Sequence, residues 1–403
     1  MRTSIQNSRI SNVSDKNKFK GERVILALSF FVGTLMPIDV IGSISPGILD
    51  VLRYSSALIL ILILHTKDGP IVPTRPLLGI AALLLISVGI LSILKAFLSD
   101  GNFIPAAAAL VSPIVAYLLA KFQNLHRMLL LGLVFGCFLS SLDIILQVLG
   151  MPFLGTPSTD GFRYSGFSLK STHVAPLLAV AICIVLSNWA WRTRQVLLRL
   201  LLLGTLFTAL LLSQGRVGLA GLIVAVGILI AISVPKRPVI MIFGILVGMV
   251  CLLASDVLAL FFDYVLRADT PTNSGFSSGR GELNSLAWEA FLHGGVIGLD
   301  GNERNLFNPH IAPLSSGLNI GPYGLVAISI ICILLAFLVF FGGNRVPAPF
   351  RMIAGIAVTI AMIEPTGFFV GFSGSLLLML CFAQYSHRTN SNVSTPGKQT
   401  QGM

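Results

Sequence analysis

Apolar runs of about twenty residues recur almost end to end along this chain, and no other feature restricts its fold so strongly. A helix needs roughly 20 apolar residues to cross about 30 Å of hydrocarbon. Twelve segments meet that need: 23 to 44, 46 to 65, 77 to 97, 104 to 120, 128 to 150, 173 to 190, 195 to 213, 217 to 234, 238 to 262, 319 to 341, 350 to 364 and 367 to 385. Pro113 interrupts the fourth, and only Glu364-Pro365 divides the last two. The runs are continuous rather than alternating, which favours helices over a barrel, since lipid-exposed backbone must satisfy its own hydrogen bonds. With 55% hydrophobic residues, 11% charged residues and a mean hydropathy of +0.88, the chain reads as an all-α polytopic membrane protein with about twelve transmembrane helices.

Positive charge gives the expected orientation. If the N-terminal tail is cytoplasmic, alternate connections put Lys67, Arg75, Lys121, Arg127, Arg192, Arg194, Arg199, Lys236, Arg237, Arg345, Arg351, Arg388 and Lys398 on the same side. With the tail itself that makes 19 Lys and Arg inside, against 6 outside: Arg163, Lys170, Arg216, Arg267, Arg280 and Arg304. Arg53 and Lys95 fall within spans. This asymmetry is the positive-inside pattern, so both termini are expected in the cytoplasm and the net charge of +11 reports topology, not nucleic-acid binding. Three regions follow: a cytoplasmic tail over 1–22, a membrane domain over 23–385 and a disordered cytoplasmic tail over 386–403. The first apolar run is longer than a signal-peptide core and lacks a small-residue cleavage site, so it is expected to stay attached as an anchor. All five cysteines, Cys137, Cys183, Cys251, Cys332 and Cys381, lie in predicted spans and read as packing residues.

Two outer connections are long, 151–172 and 263–318. The second contains SSGRGELNSLAWEAF, with Leu283, Leu286, Ala287, Ala290 and Phe291 at helical spacing. That spacing predicts a short outer helix against the membrane domain. Arginines in both loops and at one tight span boundary stand among glycines and serines: RYSGFS at Arg163, SQGRVG at Arg216 and SSGRGE at Arg280. A guanidinium fork beside small residues suits a phosphate or diphosphate, and simple snorkelling is the bland alternative. Gly215 and Gly218 allow either another backbone or a ligand to come close. His310 could take a proton from a sugar hydroxyl, with His173 and His293 as competitors on the same side. No acidic cluster, zinc motif or phosphate-binding loop is present, so no metal and no cofactor is expected. Asp39, Asp143 and Glu364 are carboxylates in or near the membrane, and each reads equally as a functional group or as a buried hydrogen-bonding partner.

Taken in order, Arg163-Tyr164-Ser165-Gly166-Phe167, Ser213-Gln214-Gly215-Arg216, Ser278-Gly279-Arg280 with Trp288, and His310 followed by Gly317 to Gly324 resemble the O-antigen ligase and polymerase family of bacterial membrane glycosyltransferases. The similarity covers about residues 150 to 345. It implies a GT-C-like helical fold in the bacterial inner membrane and metal-independent transfer on the periplasmic face. The implied donor is a glycan on undecaprenyl diphosphate, and the implied acceptor is a second lipid-linked repeat or lipid A core. By the same resemblance Arg216 and Arg280 hold the donor diphosphate, Arg163 and Trp288 contribute to substrate binding, and His310 assists the acceptor hydroxyl. A flippase and a chain-length regulator are the implied protein partners. The family's His-Asn pair is missing: Ile311 follows His310, and Asn308 precedes it. That departure favours a polymerase of O-antigen or exopolysaccharide repeats over a ligase. A transporter or lipid-linked glycan flippase is the reading of another class, opposed by the absence of a half-to-half repeat.

Overall fold

The computed structural model describes residues 21–41, 46–66, 76–98, 103–151, 164–187, 195–233, 280–293, 298–299, 311–343, 346–364, 369 and 371–390. These residues are helical throughout, with short connections and no β-sheet among them. The helices are α1 (21–34), α2 (Pro46–Thr66), α3 (Pro76–Leu98), α4 (Phe103–Ala120), α5 (Gln123–Val148), α6 (Ser171–Leu186), α7 (Val196–Leu212), α8 (Arg216–Ser233), α9 (Arg280–His293), α10 (Ala312–Ile320), α11 (Pro322–Phe341), α12 (Ala348–Ile363) and α13 (Phe372–Asn390). By length and composition α2, α3, α4, α5, α8 and α11 can each cross a membrane, and α6, α7, α12 and α13 are shorter apolar helices. The protein is an all-helical membrane protein. The predicted ninth span, 238 to 262, lies outside the described residues, as do Arg163, His310 and nearly all of both tails.

Three predicted spans are corrected. The run 23 to 44 is helical only to residue 34 and then turns at 35–37. Pro37 has no N–H for the helical ladder, and the carbonyls and amides that follow pair elsewhere. The run 319 to 341 divides at Gly321, whose φ of 76° reverses the chain between α10 and α11, with Pro322 starting the new helix. The run 173 to 190 stops at Leu186, because Arg199 on α7 donates to the carbonyls of Val185 and Leu186 and closes the helix end.

Hydrogen bonds and ion pairs sort the helix termini onto two ends. At one end, Ser373 at the start of α13 bonds Met36 O after α1, and Asp39 lies against Ser168 and His173 at the start of α6. At the other, His126 of α5 bonds Ala120 O at the end of α4 and Gln384 near the end of α13, and Arg351 of α12 bonds Val339 O and Gly343 O at the end of α11. Lys121, Arg127, Arg199 and Arg351, all expected on one side, do share this second end. Arg199 and Arg351 act as charged C-caps for neighbouring helices, a favourable use of a cation near a helix C-terminus.

α6 is buried along nearly its whole length, with Val174 to Val185 continuously inside, and α13 is similarly buried from Ser375 to Ala383. Around them α5, α7 and α8 pack on α6, while α3 and α4 pack on α13 and α12 touches both groups. A glycine seam joins α1 to α5. A methyl group at Gly132 would land on Phe30 O, one at Gly136 on Thr34 O, and one at Gly33 on Leu129 O. Without a strong hydrophobic drive between helices in lipid, such close backbone approach supplies the packing. Gly132→Ala must therefore push two backbones apart, and it is expected to lower stability by about 1–3 kcal/mol. Thermal unfolding in detergent would measure it; an unchanged midpoint would contradict the seam. Cys137, Cys183, Cys332 and Cys381 are buried and unpaired, as packing residues should be.

Candidate functional site

The sequence SQGRVG becomes a three-residue hairpin between α7 and α8. Ser213 N bonds Ala209 O at 2.8 Å, Gln214 N bonds Leu211 O at 3.0 Å, and α8 starts at Arg216. Gln214 takes φ of 50°, a left-handed conformation that costs energy in a residue other than glycine and tends to cluster at functional sites. The neighbouring glycines serve the alternative weighed from sequence in which another backbone comes close. A methyl at Gly215 would strike Ala175 Cβ, and one at Gly218 would sit 2.5 Å from Ala175 O. α6 therefore fills the space beside both glycines. Its first turn, Ser171 to His173, then stands next to the first turn of α8, so two helix N-termini and the half-buried Arg216 meet at one point. Each N-terminus carries roughly half a positive charge from its free N–H groups, and Lys170 is exposed at the start of α6. The combined field attracts an anion.

Sequence reading named Asp39 and Arg53 singly and missed the network they make. Arg53, buried in α2, donates from Nε to Leu35 O at 3.2 Å and from Nη2 to Ile38 O at 2.8 Å and Asp39 Oδ1 at 3.1 Å. Its Nη1 donates to Asp50 Oδ1 at 2.6 Å. Ser168 Oγ donates to Asp39 Oδ2 at 2.9 Å, and His173 Nδ1 stands 3.9 Å from the same oxygen. The amides of Asp39 and Val40 both bond Phe167 O, at 2.8 and 2.9 Å. Burial pushes the Asp39 carboxyl up, but the His173 ring, the Arg53 guanidinium and the Ser168 hydroxyl outweigh it and bring the group down to about 2. At 3.9 Å His173 is too distant for a full hydrogen bond, so the shorter contacts from Arg53 and Ser168 are the stronger physical cause. The network locks the segment after α1, the first turns of α2 and the loop before α6 into one unit. His173 joins that unit to the α6–α8 corner.

Two further carboxylates lie at or near this end. Asp143 in α5 is 1% exposed and accepts from Gln147 Nε2 at 2.7 Å. Gln147 Oε1 is buried and has no hydrogen-bond partner. Glu364 ends α12, its amide bonded to Ile360 O at 2.8 Å.

The expected short helix is present as α9, and Arg280 is its first residue. Ala287 is buried and Phe291 half-buried, packed on Leu314 and Leu318 of α10 and Leu325 of α11. Trp288 is 47% exposed, its ring centroid 5.4 Å from that of Phe291 and its plane tilted 31° from it. Leu286, expected on the docking face, is also exposed. α10 is fixed in turn by Lys95 of α3, whose ammonium donates to Asn319 O and Leu299 O. A lysine placed within a span by sequence is thus the C-terminal cap of a helix more than 200 residues away. α10 also touches α12, which packs on α8. The helix order accordingly puts Arg216 and α9 at the same end of the bundle, linked through α12 and α10. No group of three or more metal-ligating side chains occurs among the described residues.

No protein-family model matches the chain, and no curated protein matches it. The corner itself can hold an anionic group by Arg216 and the amides of two helix starts, beside the Asp39 network.

Proposed function

We propose that the protein is a membrane glycosyltransferase that polymerises undecaprenyl-diphosphate-linked oligosaccharide repeats, of O-antigen or exopolysaccharide, on the periplasmic face of the bacterial inner membrane. What supports the reading most is the setting of Arg216: it is the first residue of α8, whose start lies against the first turns of α6. In that setting a departing diphosphate would meet a planar fork and two helix N-termini, which stabilise developing negative charge without a metal. The order of arginine motifs along the chain and the docked α9 carrying Arg280 support the same reading.

In the proposed reaction the acceptor sugar's hydroxyl oxygen bonds to the donor C1 as the bond from C1 to the diphosphate oxygen breaks. The bonding pair leaves with the lipid diphosphate, held by Arg216 and Arg280, and the hydroxyl proton passes to His310. Arg163 contacts the glycan. A chain-length regulator and a flippase are the partners this role requires.

The glycans of a deletion strain decide between this and its rivals. A strain lacking the protein is expected to carry single repeats in place of long chains. Long polymer stranded on undecaprenyl diphosphate would instead indicate a ligase to lipid A core, and repeats retained on the cytoplasmic leaflet would indicate a flippase.

A further inference from the structure

α9 is an unusual helix for the edge of a membrane protein, because its apolar side chains are divided between two faces. Ala287, Ala290 and Phe291 look inward at α10, whereas Leu286, Trp288 and Leu292 are 49%, 47% and 64% exposed. Trp288 and Leu292 are four residues apart and so lie in one stripe, to one side of Phe291 in the helical projection. An exposed stripe of this kind needs an occupant.

The depth of the helix identifies it. Phe291 reaches within 3.1 Å of the point where a side chain would begin at Gly317, and it packs on Leu325. Leu325 belongs to the first turn of α11, a 20-residue apolar helix that can cross the membrane. The first turn of such a helix lies at the boundary between hydrocarbon and headgroups. Immediately beside Leu325 begins the exposed apolar stripe of α11, Tyr323, Val326, Ile330 and Ile333, which is the face that lipid covers. α10 cannot sink or lift from this level, being tied at Asn319 O by Lys95 to α3 and packed through Ile320 against Val88 and Ala327. α9 therefore rests at the boundary with its stripe next to a lipid-facing surface. Tryptophan at that depth gains from an apolar body and a polar indole N–H.

We propose that α9 is an interfacial helix, with Trp288 and Leu292 seated in the phospholipid layer at the Asp39 end of the bundle. The bilayer surface is the partner. The inference depends on membrane embedding and not on the transferase reading, so either can fail without the other.

Tryptophan fluorescence tests it in the full chain reconstituted into phospholipid vesicles. The protein has three tryptophans, and Trp189→Phe with Trp191→Phe leaves Trp288 as the only emitter. Phospholipids brominated near the glycerol end of the acyl chain are expected to remove about half of its emission, while aqueous iodide removes little. Strong iodide quenching with no bromolipid effect overturns the proposal in favour of a water-exposed face. Weak quenching by both overturns it in favour of a protein partner, including a second copy. If the double substitution impairs folding, Leu292→Cys carrying a nitroxide reports the same environment. Collisions with oxygen should then exceed those with a water-soluble nickel chelate, and the reverse order overturns the proposal.

Discussion

Arg53→Met is expected to destabilise the protein by about 3–5 kcal/mol, the cost of leaving a buried charge without its partner. The arginine holds two backbone carbonyls, Leu35 O and Ile38 O, and two carboxylates, Asp39 and Asp50. Methionine fills similar space and satisfies none of them, so Asp39 must either remain charged in a confined site or bind a proton. Asp39→Asn in the same chain removes the orphan charge, and the double variant is expected to recover part of the loss. The coupling between the two substitutions isolates their interaction. A pH signature separates this from general damage. The folded Asp39 carboxyl lies near 2, below its ordinary 3.8, so its contribution is fully present above about pH 4 and disappears as pH falls toward 2. Asp39→Asn should flatten that part of the stability curve. Thermal midpoints in detergent across pH 2 to 5 would measure it, and an Arg53→Met protein melting with the wild type would refute the network's role.

The long apolar spans were legible because lipid imposes a simple demand, about twenty apolar residues per crossing, and α2, α3, α4 and α8 begin and end within one residue of their predicted limits. The errors share a cause. At Pro37 the apolar run continues without interruption in sequence, yet the helix ends, because the next amides bond Phe167 O and the carbonyls before and after the proline bond Arg53. Those partners are far along the chain and leave no periodic trace. Lys95 reads as a lysine misplaced in a span for the same reason: its acceptors belong to α10 and to residue 299. A usable signal was the pairing of Asp50 with Arg53 at i, i+3 inside an apolar run, since two charges entering a membrane segment together need a buried partner. For α9 the helix was legible but its facing was not. Leucine and tryptophan at helical spacing suggest a docking stripe in water, whereas beside lipid an apolar side chain is equally at home facing outward.

Arg216→Ala is expected to reduce glycan transfer about 10²–10³-fold, the usual effect of removing one donor aimed at developing negative charge. Arg216→Lys discriminates more finely. It keeps the charge at the start of α8 but replaces five fixed donors with a compact ammonium that cannot bind two phosphate oxygens in one plane. Losing one charge-assisted hydrogen bond costs about 1.5–3 kcal/mol, hence roughly tenfold or more in rate. The effect should appear in kcat when the lost contact belongs to the departing diphosphate, because only interactions stronger in the transition state accelerate the step. The helix starts of α6 and α8 remain in place in both variants, since Gly215 and Gly218, not the arginine side chain, set the contact with Ala175. Residual activity well above that of an Arg216→Ala, Arg280→Ala double variant is therefore expected in each single arginine substitution. Protein level and thermal midpoint are measured alongside, so that loss of the folded protein is not read as loss of the chemical step. Wild-type transfer by both Arg216→Lys and Arg280→Lys would remove the diphosphate clamp and leave Arg216 as a structural charge at the corner of three helices.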